Sequence, residues 1–299
     1  MAAPVFPRTT DDEIMKFPRF EYTSPASLAE AIAFLEERGD AAKLLAGGQS
    51  LMPVLAFRMA APELVVDLKN VPGLDAITVG GEGVRLGARV RWCDIERHTA
   101  LRKAHPLLVE AISHVAHYQI RNRGTVGGSI AFADPAAEMP GIAVTCEAEI
   151  AVTGSLGERV VRADEFFLGP MMTTLGPDEI ITELRLPVWP QERRWAFLEF
   201  ARRRGDFALA GIALFFDLDA RARAVNAHVG VIGASDRPHR LMEAESVING
   251  SAVDATAIED AAEAASREVD PMADIHAPPE YRRALVKTLV ERALASAAS

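Results

Sequence analysis

Cysteine is almost missing from this chain, with only Cys93 and Cys146 in 299 residues. The two stand at no metal-ligand spacing, so neither a thiolate zinc site nor an iron–sulfur cluster can be built from this chain alone. There is no run of eighteen apolar residues, which excludes a helix spanning a bilayer. A basic excess is also absent. The formal net charge is −10, whereas a grip on nucleic acid needs a dense positive surface to neutralise phosphates. The opening MAAPVFPRTTDDEIMKFPRF lacks the basic start and apolar core of a secretion signal, and residues 1–16 read as an irregular arm. With no disulfide framework either, the expected compartment is the cytoplasm. No repeat of fixed period and no low-complexity tract interrupts the chain, although its last third is rich in alanine.

What remains is the composition of an ordinary globular protein, 49% apolar and 25% charged, long enough for two or three compact units. TSPASLAEAIAFLEERGD predicts a helix with Ser24 as N-cap, Pro25 at the first helical position, and Leu28, Ala31, Ile32 and Leu35 on one face, ended by Gly39. AKLLAGG reads as a short strand breaking into a glycine turn. A brief apolar segment containing Pro53 and a second strand, ELVVDL, follow, giving a strand, crossover, strand order. AITVGGEGVRLGA is a hairpin signal around Gly80 and Gly81. Residues 106–117 read as helix and EAEIAVTGSLGERVVRADEF as strands about a glycine turn. Pro187 and Pro190 in a polar stretch mark a domain boundary. Beyond it, WAFLEFARR, FALAGIALFFDLDA and AVNAHVGVIGAS predict an antiparallel sheet, and residues 238–249, 254–269 and 279–298 predict three helices. Strands followed by helices make an α+β unit.

Two stretches, LLAGGQSL (44–51) and GTVGGSIA (124–131), are alike: a glycine pair, a small polar residue, then an apolar run. Glycine lets backbone approach a ligand closely, and successive N–H groups can converge on an anion such as a diphosphate. Gln49, Ser50, Thr125 and Ser129 can add side-chain hydrogen bonds. The plainer reading, two tight connections, stays open, since short glycine motifs are unspecific. No Lys-Ser or Lys-Thr follows either turn, and neither fits G-x-G-x-x-G.

KLLAGGQSLMPVLAFRMAAPELVVDLKNVPGL together with QIRNRGTVGGSIAFADPAAEMP resembles the medium, FAD-binding subunit of molybdenum hydroxylases, the group of carbon monoxide dehydrogenase and the flavin portion of xanthine dehydrogenase. The likeness covers roughly residues 16–298. It implies an α+β chain: a FAD-binding domain of two α/β subdomains of the vanillyl-alcohol-oxidase type over 17–187, split near 70, then a domain over 190–299 with an antiparallel sheet and a three-helix bundle. It implies that FAD lies extended between the subdomains. Leu45, Ala46, Gly47, Gly48, Gln49, Ser50 and Leu51 would form one loop at its diphosphate, and Thr125, Val126, Gly127, Gly128 and Ser129 the other. Glu138 would bind the ribose or adenosine end, and Ile181 would touch the flavin ring. Asp134, before Pro135, has a second reading as a local turn opener.

The same resemblance implies a small partner subunit with two [2Fe–2S] clusters and a large one with a molybdopterin cofactor, as a dimer of heterotrimers. Electrons would pass from molybdenum through the clusters to FAD and on to NAD, a quinone, a cytochrome or dioxygen. The lack of a cysteine-rich insertion argues against the 4-hydroxybenzoyl-CoA reductase branch. No catalytic side chain or metal ligand is assigned in this chain. His98, His105, His114, His117, His228, His239 and His276 are scattered, and only His117, with Tyr118, stands where it could approach the ring. Arg202 to Arg204 read either as a solvated strand end or as a docking face for the iron–sulfur subunit. Two residues depart from the family pattern: Phe132 stands where His or Thr is usual, and Glu199 where Lys is common. A self-sufficient flavin oxidoreductase and a non-catalytic assembly protein of the same fold are the competing expectations.

Overall fold

The structure, a computed structural model, describes residues 17–299, so the expected arm over 1–16 lies outside the described residues. The first subdomain runs β1 (Glu21–Thr23), α1 (Leu28–Arg38), β2 (Ala42–Leu45), α2 (Leu51–Ala56) and β3 (Leu64–Asp67). Its three strands are parallel in the order β1-β3-β2, which requires crossovers and puts α1 against the sheet. Ala31, Ile32 and Leu35 of α1 pack on Leu64 and Val66. The helix starts three residues later than Pro25 predicts. Ser27 is the N-cap, accepting from the Glu30 amide at 3.2 Å, while the Glu30 carboxylate accepts from the Ala26 amide at 2.8 Å. Ser24 is engaged elsewhere, donating to the Asp67 carbonyl at 3.2 Å and accepting from Asn70 at 3.0 Å. These two bonds, which satisfy the Glu30 and Ala26 amides, set the terminus at Ser27.

The second subdomain opens with the hairpin β4 (Ile77–Gly80) and β5 (Gly83–Gly87). A cluster of helices follows: α3 (Trp92–Arg97), α4 (Thr99–Ala104), α5 (Pro106–His114), α6 (Tyr118–Arg121), α7 (Val126–Phe132) and α8 (Glu138–Thr145). Then come β6 (Glu149–Gly154), β7 (Gly157–Arg162), α9 (Ala163–Phe166), β8 (Phe167–Gly169), β9 (Met172–Thr173) and β10 (Ile180–Leu186). The main sheet has the order β4-β5-β10-β6-β7, so the last strand of the subdomain takes its centre. Helix α5 stops at His114, short of the predicted 117. Arg121 collects the Val115 and Ala116 carbonyls, each at 3.0 Å, and Ala116 turns left-handed at φ 40°.

The C-terminal domain is an antiparallel sheet of β11 (Arg194–Phe200), β12 (Ala210–Leu218), β13 (Ala224–Ile232) and β14 (His239–Arg240), with α10 (Met242–Ile248), α11 (Ala255–Glu268) and α12 (Pro279–Ala298) on one face. The helix predicted from 238 begins at Met242. Arg240 is instead held in the edge strand opposite Gly230, with the Glu245 carboxylate at 2.6 Å and Glu147 at 2.9 Å. The other sheet face carries Phe197, Ala213, Phe215 and Ile232 into one core with β5, α5, α8 and β10. Helix α8 lies on this face with Gly141 against Ile232, and Gly230 faces Thr145 so closely that a β-carbon there would overlap its hydroxyl. The two domains therefore share a core. Among the described residues no helix is long and apolar enough to cross a membrane.

Candidate functional site

A cavity of about 880 Å³ lies between the first and second subdomains and is closed on one side by the connection between β11 and β12. Its middle is formed by the two glycine turns, which touch. A β-carbon at Gly47 would fall inside the van der Waals radius of the Arg123 carbonyl oxygen and stand 3.0 Å from the Gly124 α-carbon. One at Gly124 would stand 2.6 Å from Nε1 of Trp92. Bare backbone is what lets the subdomains meet here.

The turns are not equivalent. In the first, between β2 and α2, the amides of Gly47, Gly48, Gln49, Ser50 and Leu51 make no hydrogen bond among the described residues. Gly48 takes a left-handed φ of 74°, and Gln49 donates its side-chain amide to the Gly47 carbonyl at 3.2 Å. Consecutive unbonded amides of this kind make an anion-binding concavity. In the second, the amides are already used. Val126 donates to Val90 at 3.0 Å, Gly127 to Ala88 at 2.8 Å, Gly128 to Oγ1 of Thr125 at 3.3 Å, and Ser129 to the Thr125 carbonyl at 3.0 Å. The glycine pair serves packing: a β-carbon at Gly127 would stand 2.5 Å from that of Ala88, and one at Gly128 2.7 Å from Oγ1 of Thr125. The amides of this turn are thus occupied by acceptors of the chain itself, while Thr125 and Ser129 line the cavity.

Ala46, Gly47, Gly48, Gln49, Ser50, Leu51, Thr125, Gly127, Gly128, Ser129, Glu138 and Ile181 all line the one cavity. Leu45 and Val126 do not: Leu45 ends β2 with its side chain toward Gly48, and Val126 is fully buried in the large core. Ile181 sits on β10 just before a bulge, at the centre of the sheet. Asp134 makes the local turn, accepting from the Ala136 amide at 2.9 Å, and is among the residues that line the cavity. Burial raises its pKa.

Glu138 begins α8 with only 8% of its surface exposed. No side chain bonds to its carboxyl, and burial, with Asp134 nearby, pushes it up to about 7. Glu199, on β11, has one carboxyl oxygen buried without a partner, and burial, with Glu138 nearby, pushes it up to about 8. Phe132 also faces the cavity.

Other lining residues carry little sequence signal. Leu175, Gly176 and Pro177 form a loop clamped by Arg159, which donates to both Glu179 oxygens at 2.6 Å and to the Thr174 carbonyl at 2.9 Å. Glu179 in turn accepts from the Gly176 amide at 2.6 Å. Gly205, Asp206 and Phe207 close the far side, following the exposed Arg202, Arg203 and Arg204. Only the glycine after that arginine run hinted at a turn. His117 packs against Gly205 but does not line the cavity. His105 is fully buried against Trp189, and desolvation lowers it to about 3. No cluster of three His, Cys, Asp or Glu residues suited to a metal occurs among the described residues.

A cleft with free amides at its waist, a buried carboxyl that no side chain bonds and an apolar strand residue along its length defines a binding protein for an extended, diphosphate-containing cofactor. Comparison with known proteins agrees. Residues 18–189 match the model of the FAD binding domain in molybdopterin dehydrogenase, and 195–297 that of the CO dehydrogenase flavoprotein C-terminal domain. The nicotine 6-hydroxylase medium subunit of Paenarthrobacter nicotinovorans is 41% identical over 95% of this chain and 99% of its own length. A solved carbon monoxide dehydrogenase from Hydrogenophaga pseudoflava superposes with a TM-score of 0.91 at 36% identity, covering 94% of this chain and 98% of that one. Quinoline 2-oxidoreductase from Pseudomonas putida 86 gives 0.90 at 37% identity, covering 95% and 98%. The chain belongs to the family of FAD-binding medium subunits of molybdenum hydroxylases, and is an oxidoreductase component with FAD as its cofactor.

Proposed function

We propose that this chain is the electron outlet of a cytoplasmic molybdenum hydroxylase. In this reading a small subunit with two [2Fe–2S] clusters delivers electrons that originate at the molybdopterin cofactor of a large subunit, in a dimer of heterotrimers. NAD, a quinone, a cytochrome or dioxygen then takes them up. FAD supplies the redox chemistry when bound, and can exchange electrons singly or in pairs. The observation that carries the reading is the run of five unbonded amides from Gly47 to Leu51, facing the second glycine turn across one cavity.

The chain's own residues fit that cofactor. Ala46 and the five amides hold the diphosphate, with the hydroxyls of Ser50, Thr125 and Ser129 as further donors. Gly127 and Gly128 bring the start of α7 close enough for those hydroxyls to reach. Glu138 accepts from hydroxyls at the ribose or adenosine end, since a buried carboxylate that no side chain bonds is satisfied by paired hydroxyl donors. Ile181 presents an apolar surface to the ring, and the Arg159–Glu179 clamp keeps the 174–179 loop closed against water. Among the described residues the site brings together no paired nucleophile and base, and the protein's part in this reading is to bind, orient and exclude.

Purification of the chain and release of its bound chromophore by denaturation tests the reading. FAD in near one-to-one amount is expected, whereas a colourless protein that also fails reconstitution overturns it. Substrate turnover by the isolated chain would instead favour a self-sufficient oxidoreductase.

A further inference from the structure

The end of β11 and the connection after it, residues 200–207, close the cavity on its far side and are also the centre of an exposed face. On one flank Arg202 donates to Nδ1 of His276 at 3.4 Å, and the ring of Phe200 meets that of Tyr281 edge-on at 6.4 Å. On the other flank Gly205, at a left-handed φ of 88°, packs so closely on His117 and the Ala116 carbonyl that a β-carbon there would overlap the imidazole ring. Three segments distant in sequence, 116–118, 200–207 and 272–281, therefore form one continuous rim.

Large apolar side chains of this rim stand in water: Ile275 is 94% exposed, Phe207 67% and Tyr118 60%. Clustered exposure of this kind marks a surface that another molecule covers. Phe207 also lines the cavity, so the apolar face is continuous with the cofactor site. Arg203 and Arg204, exposed in the same loop, make no ion pair or side-chain hydrogen bond among the described residues. Asp206 lines the cavity and Asp274 is held by Arg282 at 2.6 Å, which leaves Glu280 as the acidic side chain these segments set against Arg202, Arg203 and Arg204. On a chain of net charge −10 that is a local reversal of sign. Aromatic and aliphatic side chains beside arginine are the composition of an interface core.

We infer that this rim docks an acidic face of the iron–sulfur subunit, with carboxylates of that subunit on Arg202 to Arg204 and its apolar residues over Phe207, Ile275 and Tyr118. The inference rests on the reading that FAD in this cavity takes its electrons from a [2Fe–2S] partner. Electron tunnelling weakens steeply with distance, so the donor has to stand where the cavity opens, and Phe207 places this rim there. A carrier protein that comes and goes uses a small contact, whereas a permanent subunit buries a larger and more apolar one. Exposed Ile275 and Phe207 fit the permanent kind. The arginines supply orientation and a faster encounter, since opposite charges across an interface steer the approach.

The test uses the complex isolated from its host through a tag on this chain, with iron and FAD measured together. Wild type is expected to carry about four iron atoms per FAD, the content of two [2Fe–2S] clusters. Arg203→Glu combined with Arg204→Glu is expected to lower iron per FAD at least about tenfold while FAD per chain stays at the wild-type level, because like charges then face each other across the contact. Ile275→Asp should act in the same direction. Arg221→Glu, in the turn between β12 and β13 at the opposite end of the sheet, controls for net charge and should leave the ratio unchanged. In wild type, amide hydrogen exchange over 200–207 and 272–281 should be slower in the complex than in the separated chain, a measurement that decides the matter even where a variant loses FAD. Unaltered iron in the double variant, an equal loss in Arg221→Glu, or no protection of these segments overturns the inference and leaves the electron-outlet reading intact. Protection that appears in the chain alone as its concentration rises assigns the rim to a second copy and overturns it as well. Wild type isolated with FAD but without iron overturns the iron–sulfur partner itself, and the docking face with it.

Discussion

Gly47 and Arg123 touch backbone to backbone, the glycine's missing side chain occupying the place where the Arg123 carbonyl oxygen sits. A methyl group cannot be accommodated without separating the two turns, because the obstacle is backbone rather than the end of a flexible side chain. Gly47→Ala is therefore expected to keep its secondary structure by circular dichroism while its flavin content falls at least about tenfold, as read from the ratio of flavin to protein absorbance. Retention of wild-type flavin content would show that the two turns need not meet to hold the cofactor.

The Arg159–Glu179 pair holds the loop that covers the cavity between Leu175 and Ile181. The pair is bidentate but partly exposed, so its contribution to global stability is about 1 kcal/mol at most. Glu179→Ala also leaves the Gly176 amide without its acceptor. The expected outcome is a several-fold faster release of FAD, with higher hydrogen exchange confined to 174–180 and little change in Tm. Stopped-flow fluorescence and exchange mass spectrometry check it.

Glu199 predicts a pH-dependent stability of definite sign. Its carboxyl titrates near 8 in the folded chain against an ordinary value of 4.5. The folded state therefore binds more protons than the unfolded state between those values, and stability falls as pH rises from about 4.5 to about 8. Glu199→Gln should be close to wild type at pH 5 and more stable at pH 8 by about 1–3 kcal/mol. Chemical denaturation at the two pH values measures the difference, and an equal effect at both would contradict the titration.

Arg282 is buried at the junction of α12 with the sheet. It donates to the Leu209 carbonyl at 2.7 Å, the Gly233 carbonyl at 2.8 Å and the Asp274 carboxylate at 2.6 Å. Arg282→Leu removes all three donors and leaves two carbonyls unpaired, for a loss of about 3 kcal/mol in denaturant titration. Because Leu209 and Gly233 bracket the start of β12 and the end of β13, the loss should appear first in the C-terminal domain.

How far the sequence could be read varies from one element to the next. The helix at 28–38, the parallel strands at 42–45 and 64–67 and the hairpin at 77–87 follow from apolar period and turn residues, which act over a few positions. Helix ends are less legible. Ser24 has the residue type of a cap but bonds to Asp67, and the predicted helix start at 238 is taken by His239 and Arg240, which pair with β13. In each case a partner many residues away outcompeted the local preference. Strand β1, three residues long and without alternation, had no signal of its own and forms because β3 offers an edge.

By itself, the sequence determined that two glycine turns exist, that Glu138 and Ile181 follow them in a recognisable order, and that this chain's cysteines cannot build a cluster. These are matters of residue type and spacing, settled within short stretches of chain. The tertiary structure decided that the amides of the first turn stay free while those of the second are consumed by Val90, Ala88 and Thr125. It decided as well that Glu199 comes to stand beside Glu138, and that Gly205 to Phe207 close the cavity. Hydrogen-bond satisfaction and burial depend on which distant segments the packed core brings together, and no local pattern encodes that.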